Sequence, residues 1–271
     1  MSKVVVLTGG NKGIGKAVAM LLLKTTKQPL TLYLTARQPG LGAAAIDDIN
    51  SSGLPSTSGS HLVFHQLDIT DQSSVDTLAA DLKASHGQID VLINNAGIAT
   101  KGSRFDSEVV KQTLDCNYFG TQRICDALIP LIKPEGGRLV CVSSSAGLLS
   151  SLPSASLRPQ FSDSHLTHQQ LDQLMNKFAA DVVSGTYRHE GWPQNSYAVS
   201  KVGMTALTKI CAREHPGMVI NACCPGYVKT DMAPNGFLTP EGGSFTPTLL
   251  AIGDIGNTSG LFWKNCYSVT W

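Results

Sequence analysis

The stretch Val4-Val5-Val6-Leu7-Thr8-Gly9-Gly10-Asn11-Lys12-Gly13-Ile14-Gly15 decides how the rest of the chain is read. Four apolar residues in a row, without alternation, make a strand buried on both faces, as in a parallel sheet covered by helices. Gly9, Gly13 and Gly15 come where that strand must turn, and apolar spacing over residues 14–24 supplies a helix directly after it. Glycines let the backbone turn tightly and approach a pyrophosphate, and the helix N-terminus offers it free N–H groups and the positive end of a dipole. Strand, glycine turn and helix in this order predict a dinucleotide site built by Gly9, Asn11, Lys12, Gly13, Ile14 and Gly15.

Outward from this segment, short β-branched runs alternate with longer amphipathic ones. Strands are expected at Lys3–Thr8, Leu30–Ala36, His61–Leu67, Asp90–Asn94, Arg138–Val142 and Met218–Cys223, with a weaker seventh near Leu261–Trp263. Helical spacing covers residues 14–24, 39–51, 71–85, 105–131 and 196–214. Such alternation predicts an α/β fold: a Rossmann-type, doubly wound, parallel sheet of about seven strands in a single domain over 1–271, with ligands at the carboxyl ends of the strands. Residues 151–193 interrupt the rhythm. There Thr167 and Gln170 form a capping box, Leu166 and Leu171 a hydrophobic staple, and Leu171, Leu174, Met175, Phe178, Ala179, Val182 and Val183 an apolar stripe. An inserted helix therefore precedes the helix that begins near 196.

The second strand selects the dinucleotide. An NAD site places a carboxylate there to accept from the ribose 2′-OH. Here the strand ends Leu34-Thr35-Ala36-Arg37, and the first acid of the whole chain is Asp47. Arg37 can pair with a 2′-phosphate through its planar guanidinium, and Lys12 can reach the same group from the glycine loop, so NADPH/NADP+ is the expected cofactor. This explains part of an asymmetry hidden by the net charge of +1: residues 1–46 carry six basic side chains and no acid.

Composition narrows the remaining classes. With 42% apolar and 15% charged residues the chain suits a globular protein rather than a disordered or fibrous one. No run approaches the roughly 18 apolar residues of a membrane span, and no signal-peptide pattern opens the chain. Seven cysteines without a Cys-x-x-Cys pair fit reduced thiols and a cytoplasmic setting. Basic residues are not interleaved with aromatics, so no nucleic acid partner is expected, and His165 with His168 lacks a third metal ligand, so no metal is expected either.

Tyr197-Ala198-Val199-Ser200-Lys201 opens the last long helical stretch, and its i,i+4 spacing places the phenol and the ammonium on one face. Upstream, Ser143-Ser144-Ser145-Ala146-Gly147 leaves a strand, Asn94-Asn95-Ala96-Gly97 ends another, and Asn117 lies in Cys116-Asn117-Tyr118-Phe119-Gly120. Taken in order, these motifs resemble the short-chain dehydrogenase/reductase family over roughly residues 3–232. Gly191-Trp192-Pro193, Asn221-Ala222-Cys223-Cys224-Pro225-Gly226 and Leu174-Met175-Asn176-Lys177-Phe178 are most similar to its monomeric NADPH-dependent carbonyl reductases.

That resemblance implies reduction of aldehydes, ketones or quinones to alcohols by hydride transfer. Tyr197 is then the general acid, Lys201 lowers the phenol pKa and binds the nicotinamide ribose, and Ser144 polarises the carbonyl. Gly147 sets the register that selects Ser144 over Ser143 and Ser145. Asn117 holds a water that links Lys201 to solvent. For the cofactor, the resemblance adds Asp68 and Ile69 at the adenine, Asn94, Ala96 and Gly97 on the adenosine side, and Pro225, Gly226, Val228 and Thr230 at the carboxamide. The substrate side comprises Ser144, Ala146, Cys224, Tyr227 and Met232, with a substrate loop over 227–246.

The same likeness places glutathione or its adducts near Cys224, although a buried inert thiol is the plainer expectation. It also implies a monomer, because the inserted helix would cover the face that many relatives use to tetramerise. Tyr227 stands where carbonyl reductases commonly have Trp, and the segment from Asn257 diverges. Substrate choice is therefore open between general carbonyl reduction and a specialised biosynthetic ketoreductase for one natural product. A non-catalytic NADPH-binding regulator is the rival of a different class.

Overall fold

The computed structural model describes residues 2–53, 59–100, 102 and 104–271. Its strands are β1 (Lys3–Leu7), β2 (Leu30–Ala36), β3 (His61–Gln66), β4 (Val91–Asn94), β5 (Arg138–Val142), β6 (Val219–Cys224), β7 (Phe262–Lys264) and β8 (Tyr267–Val269). They lie in the order β3-β2-β1-β4-β5-β6-β7-β8. The chain starts in the middle, runs outward to β3, then crosses back to β4 on the other side of β1. That reversal opens a crevice beyond the carboxyl ends of β1 and β4, and the glycine turn follows β1 into it.

Seven strands are parallel, as expected. The eighth departs from the sequence expectation: β8 returns antiparallel to β7. Asn265 and Cys266, at φ 51° and 65°, make the connecting turn with both central residues left-handed, the geometry that matches strand twist in a two-residue hairpin. A three-residue strand after a turn that lacks glycine leaves almost no periodic signal.

Helices α1 (Gly13–Thr25), α2 (Pro39–Ser51) and α9 (Pro240–Ile252) contribute Val18, Leu22, Ile49 and Leu250 to a core on one face of the sheet. On the other face α3 (Gln72–His86), α4 (Ser107–Leu114), α5 (Thr121–Leu128), α7 (His168–Ser184) and α8 (Ser196–Glu214) bury Leu78, Val110, Ile124, Phe178 and Leu207. Two segments correct the expectations. The single helix expected over 105–131 is broken by a π-helical turn at Asp115–Gly120. Gly120 packs there against Ile69, where a Cβ would come within 3.0 Å of Ile69 Cδ1, and the extra residue of the π turn turns Asn117 inward. The substrate loop expected to reach 246 ends earlier, because Thr239 caps α9 with Pro240 in its first turn. Gly242, Gly243 and Pro247 are poor helix formers and hide that start.

The inserted segment holds a short helix α6 (Leu157–Ser162) that the apolar spacing does not announce, then α7 with its capping box formed in both directions. Leu166 and Leu171, 5% and 0% exposed, make the staple. Trp192 is the hub: its ring meets Phe178 at 5.2 Å and Phe161 at 6.1 Å. Its Nε1 donates to Asp181 Oδ2 at 2.8 Å, and Asp181 also accepts from Lys177 Nζ. Asp181→Ala leaves a buried indole N–H without an acceptor, which costs about 1–3 kcal/mol. The expected outcome is a lower urea midpoint with an unchanged slope. The segment is also tied to the π turn, since Tyr118 Oη donates to Asp172 Oδ1 at 2.7 Å.

Candidate active site

Thr8, the last residue before the glycine turn, holds the crevice together. Its hydroxyl accepts from Asn95 N and Ala96 N, both at 2.9 Å. Asn95 Nδ2 donates in return to Thr8 O and Gly9 O, both at 3.0 Å. Gly9 and Gly13 take φ 65° and 54°, which glycine alone adopts freely. A Cβ on Gly15 would overlap Gly9 O. No side chain caps the start of α1, and its first turn holds no acid. The result is a compressed loop with unclaimed N–H groups, a cradle that fits the pyrophosphate of a dinucleotide.

Asn94 turns its side chain away from the crevice. Its side chain is 2% exposed and faces the core, where Nδ2 donates to Cys125 Sγ at 3.4 Å and Cys141 Sγ at 3.9 Å. Asn94 Oδ1 has no partner among the described residues. Strand alternation explains the inversion: Asn94 shares a sheet face with buried Leu92, and Asn95 is the first residue free to turn toward the crevice. The period-2 phase of Val91-Leu92-Ile93-Asn94 carries that signal.

The charged residues divide. Arg37 leaves β2 exposed and makes no ion pair among the described residues, while its carbonyl accepts from Gln66 Nε2. Lys12, expected to share the 2′-phosphate, instead pairs with Asp231 at 2.8 Å. Asp68 Oδ1 accepts from Thr70 N at 2.9 Å and Thr70 Oγ1 at 2.7 Å, an Asx-type turn, leaving Oδ2 for an outside donor. Thr230 does reach the glycine loop, because a Cβ on Gly13 would lie 3.2 Å from Thr230 Cγ2. Val228 also turns its side chain away: it is 3% exposed and packs under Gly243 of α9, which leaves its backbone to face a cofactor.

Helix α8 starts at Ser196 because Asn195 accepts from Ala198 N at 2.9 Å. That cap presents Tyr197 and Lys201 toward the end of β5. Lys201 is 4% exposed, and its Nζ donates to Val142 O at 2.9 Å. It stands 5.7 Å from the Tyr197 ring centre. Burial pulls the Lys201 pKa down to about 8. The three serines separate by partner. Ser143 Oγ is buried against Lys201 O and Thr205 Oγ1. Ser145 Oγ donates to Cys224 Sγ at 3.1 Å. Ser144 accepts from Ala146 N at 3.1 Å and lies beside the Tyr197 phenol. Burial raises the Tyr197 pKa, and the Ser144 hydrogen bond opposes it. The expectation that Lys201 lowers the phenol pKa is not met here, since the ammonium is turned to Val142.

Asn117 is fully buried, with Nδ2 donating to Ile98 O at 2.9 Å and Ser200 Oγ at 3.0 Å, and Oδ1 accepting from Ile98 N at 2.8 Å. Both amide hydrogens are spent, so a water held at this side chain must donate to it. Gly97 lies between the groups: a Cβ there would be 3.1 Å from Asn117 Oδ1 and 3.6 Å from Lys201 Nζ. At the outer edge Tyr227 and Phe237 pair edge to face at 5.8 Å, and Tyr227 and Met232 are 49% and 42% exposed. Cys224 is buried and also accepts from Gly226 N at 3.4 Å.

A short chain dehydrogenase family model matches residues 3–156 and 160–239. Carbonyl reductase (NADPH) 1 of Homo sapiens is 41% identical over 263 residues, covering 92% of this chain and 90% of its own. Short-chain dehydrogenase/reductase 1 of Saponaria officinalis is 35% identical over 285 residues, covering 95% and 92%. Among solved structures, salutaridine reductase of Papaver somniferum superposes with a TM-score of 0.86 at 28% identity, covering 97% of this chain and 100% of its own. The glycine cradle at the β1–β4 crevice, with Tyr197, Lys201 and Ser144 gathered beyond β5, is the local counterpart of that similarity along the whole length, and the chain belongs to the short-chain dehydrogenase family.

Proposed function

We propose that this protein reduces carbonyl compounds (aldehydes, ketones and quinones) to alcohols with NADPH. The observation that carries this reading is the meeting of Ser144 and Tyr197 hydroxyls beside a buried Lys201, across the crevice from a cradle whose Gly9, Gly13 and Gly15 admit a pyrophosphate. Bound NADPH supplies the hydride. The residues around it do the rest. Ser144 Oγ donates to the carbonyl oxygen and polarises it. Tyr197 gives the phenolic proton to that oxygen as charge builds there. The Lys201 ammonium stabilises the resulting phenolate once it leaves Val142 O for the phenol and the ribose hydroxyls. Asn117 fixes Ile98 and Ser200 around this group and offers an oxygen lone pair to a resupplying water. Arg37, with Lys12 when it leaves Asp231, takes the 2′-phosphate.

The test follows NADPH absorbance with a panel of quinones, aldehydes and ketones, using Tyr197→Phe as control. Turnover that the variant loses supports the reading. NADPH binding without turnover on any member favours the non-catalytic regulator. A narrow response, confined to bulky polycyclic ketones, favours the specialised ketoreductase, a reading supported by the exposed Tyr227–Phe237 pair. Seven free thiols support a reducing, cytoplasmic setting. Burial of Cys224 supports an inert thiol over a glutathione contact.

The inserted helix supports a monomer. Met175 of α7 packs onto α8 at Gly203, where a Cβ would come within 2.7 Å of Met175 Sδ. Sedimentation is expected to give the mass of one chain, and a stable tetramer overturns this part of the reading.

A further inference from the structure

The turn that carries Ser144 is weakly built on its own. After Ser144 come two short 3₁₀ turns, Ser145–Gly147 and Leu149–Ser151, and the first is closed by Gly147 N donating to Ser144 O at 2.8 Å and Leu148 N to Ser145 O at 3.3 Å. Such 3₁₀ turns have poorer hydrogen-bond geometry than an α-helix, so contacts from outside weigh more. Two supports come from nearby: Ser145 reaches Cys224, and Gly147 lies so close to α8 that a Cβ would sit 2.7 Å from the Lys201 carbonyl. The third comes from far along the chain. Trp271 Nε1 donates to Gly147 O at 2.6 Å.

The same indole also engages α8. Lys209 Nζ stands 5.7 Å from the Trp271 ring centre and donates to Gly260 O at 3.0 Å. Lys209 lies eight residues beyond Lys201 on one rigid helix. The ring packs with Leu148 against Ala222, Cys224 and Phe262 at the ends of β6 and β7. One side chain therefore touches the Ser144 turn, the helix of Tyr197 and Lys201, and strands β6 and β7 of the sheet.

We propose that Trp271 is a positioning residue that sets Ser144 against Tyr197 by tying the Ser144 turn to α8. This rests on the reading that Ser144 and Tyr197 act on the carbonyl. An indole suits this role because its N–H is a donor only, so it fixes a carbonyl in one direction, while its face takes a cation. Small misplacement of reacting groups costs rate rather than binding.

The experiment is a double-mutant cycle of Trp271→Phe and Ser144→Ala, assayed with NADPH and 2-methyl-1,4-naphthoquinone. Phe keeps a ring and removes only the donor. In the wild-type background Trp271→Phe is expected to lower kcat about 3- to 10-fold, with the NADPH Kd unchanged within about twofold. In the Ser144→Ala background it should change kcat by less than about 1.5-fold, because the group it positions is gone. An equal fold-loss in both backgrounds, or no loss in either, overturns the proposal. If Trp271→Phe does not fold, Lys209→Met carries the same cycle, with the same non-additivity required. If the wild type turns over no substrate, the functional reading fails separately. Hydrogen exchange then decides the anchoring: amides of residues 145–148 should exchange faster in Trp271→Phe while those of α7 do not, and unchanged exchange at 145–148 overturns it.

Discussion

Replacing Tyr197 by Phe is expected to lower kcat about 10²- to 10⁴-fold, the usual share of a positioned acid, while NADPH binds within about twofold of wild type. Phe keeps the ring beside Lys201 and removes only the proton donor. Burial holds the Tyr197 pKa above its ordinary value, and the Ser144 hydroxyl pulls it down. The phenol is therefore protonated at neutral pH, as reduction requires, but reluctant to give up its proton. Stabilising the phenolate falls to the Lys201 ammonium, whose pKa burial brings to about 8.

The sign of the pH dependence follows. Below about pH 8 Lys201 is charged and can receive the developing phenolate. Above it the ammonium is lost while Tyr197 keeps its proton, so kcat for reduction should fall on the alkaline side with an inflection near 8. Lys201→Met should be slow at every pH and lack that limb. A wild-type profile flat through pH 10 means that the titrating lysine is not part of proton transfer.

What is legible in the sequence depends on whether a signal is local. The β1 run, its glycines and the cap at Thr167 are written in adjacent residues, and each element forms where its chemistry dictates. The parallel character of the sheet follows from strand runs without alternation, but the order of its strands is not written in adjacent residues. Signals that depend on phase or on distant partners are lost. Asn94 and Asn95 differ by one residue of strand alternation, enough to exchange a core side chain for one that locks the cradle. Asn117 is legible as a polar residue in a buried helix, but its orientation comes from a π turn that helical periodicity cannot show. The pairs Lys12–Asp231 and Trp271–Gly147 join residues 219 and 124 positions apart, so nothing local announces them.

The Lys12–Asp231 pair sharpens the expectation for Arg37. Two cations are candidates for the 2′-phosphate, but one is already engaged by an acid, and Arg37 has no such partner among the described residues. Arg37 should therefore carry most of the discrimination. A charge-assisted hydrogen bond contributes about 1.5–3 kcal/mol. Arg37→Asp removes it and places an anion against the phosphate, so NADPH affinity should fall about 10²-fold or more. NADH affinity should hold or rise, because a carboxylate at the end of β2 can accept from the ribose 2′-OH. Lys12→Ala, by comparison, should weaken NADPH by less than about tenfold, since Lys12 must give up its exposed pair with Asp231 to reach the phosphate. Titrations of both coenzymes at low and high salt read these effects directly, and the Arg37→Asp loss should shrink as salt screens the exposed site. Unchanged NADPH/NADH discrimination in Arg37→Asp means that the end of β2 does not meet the 2′ position at all.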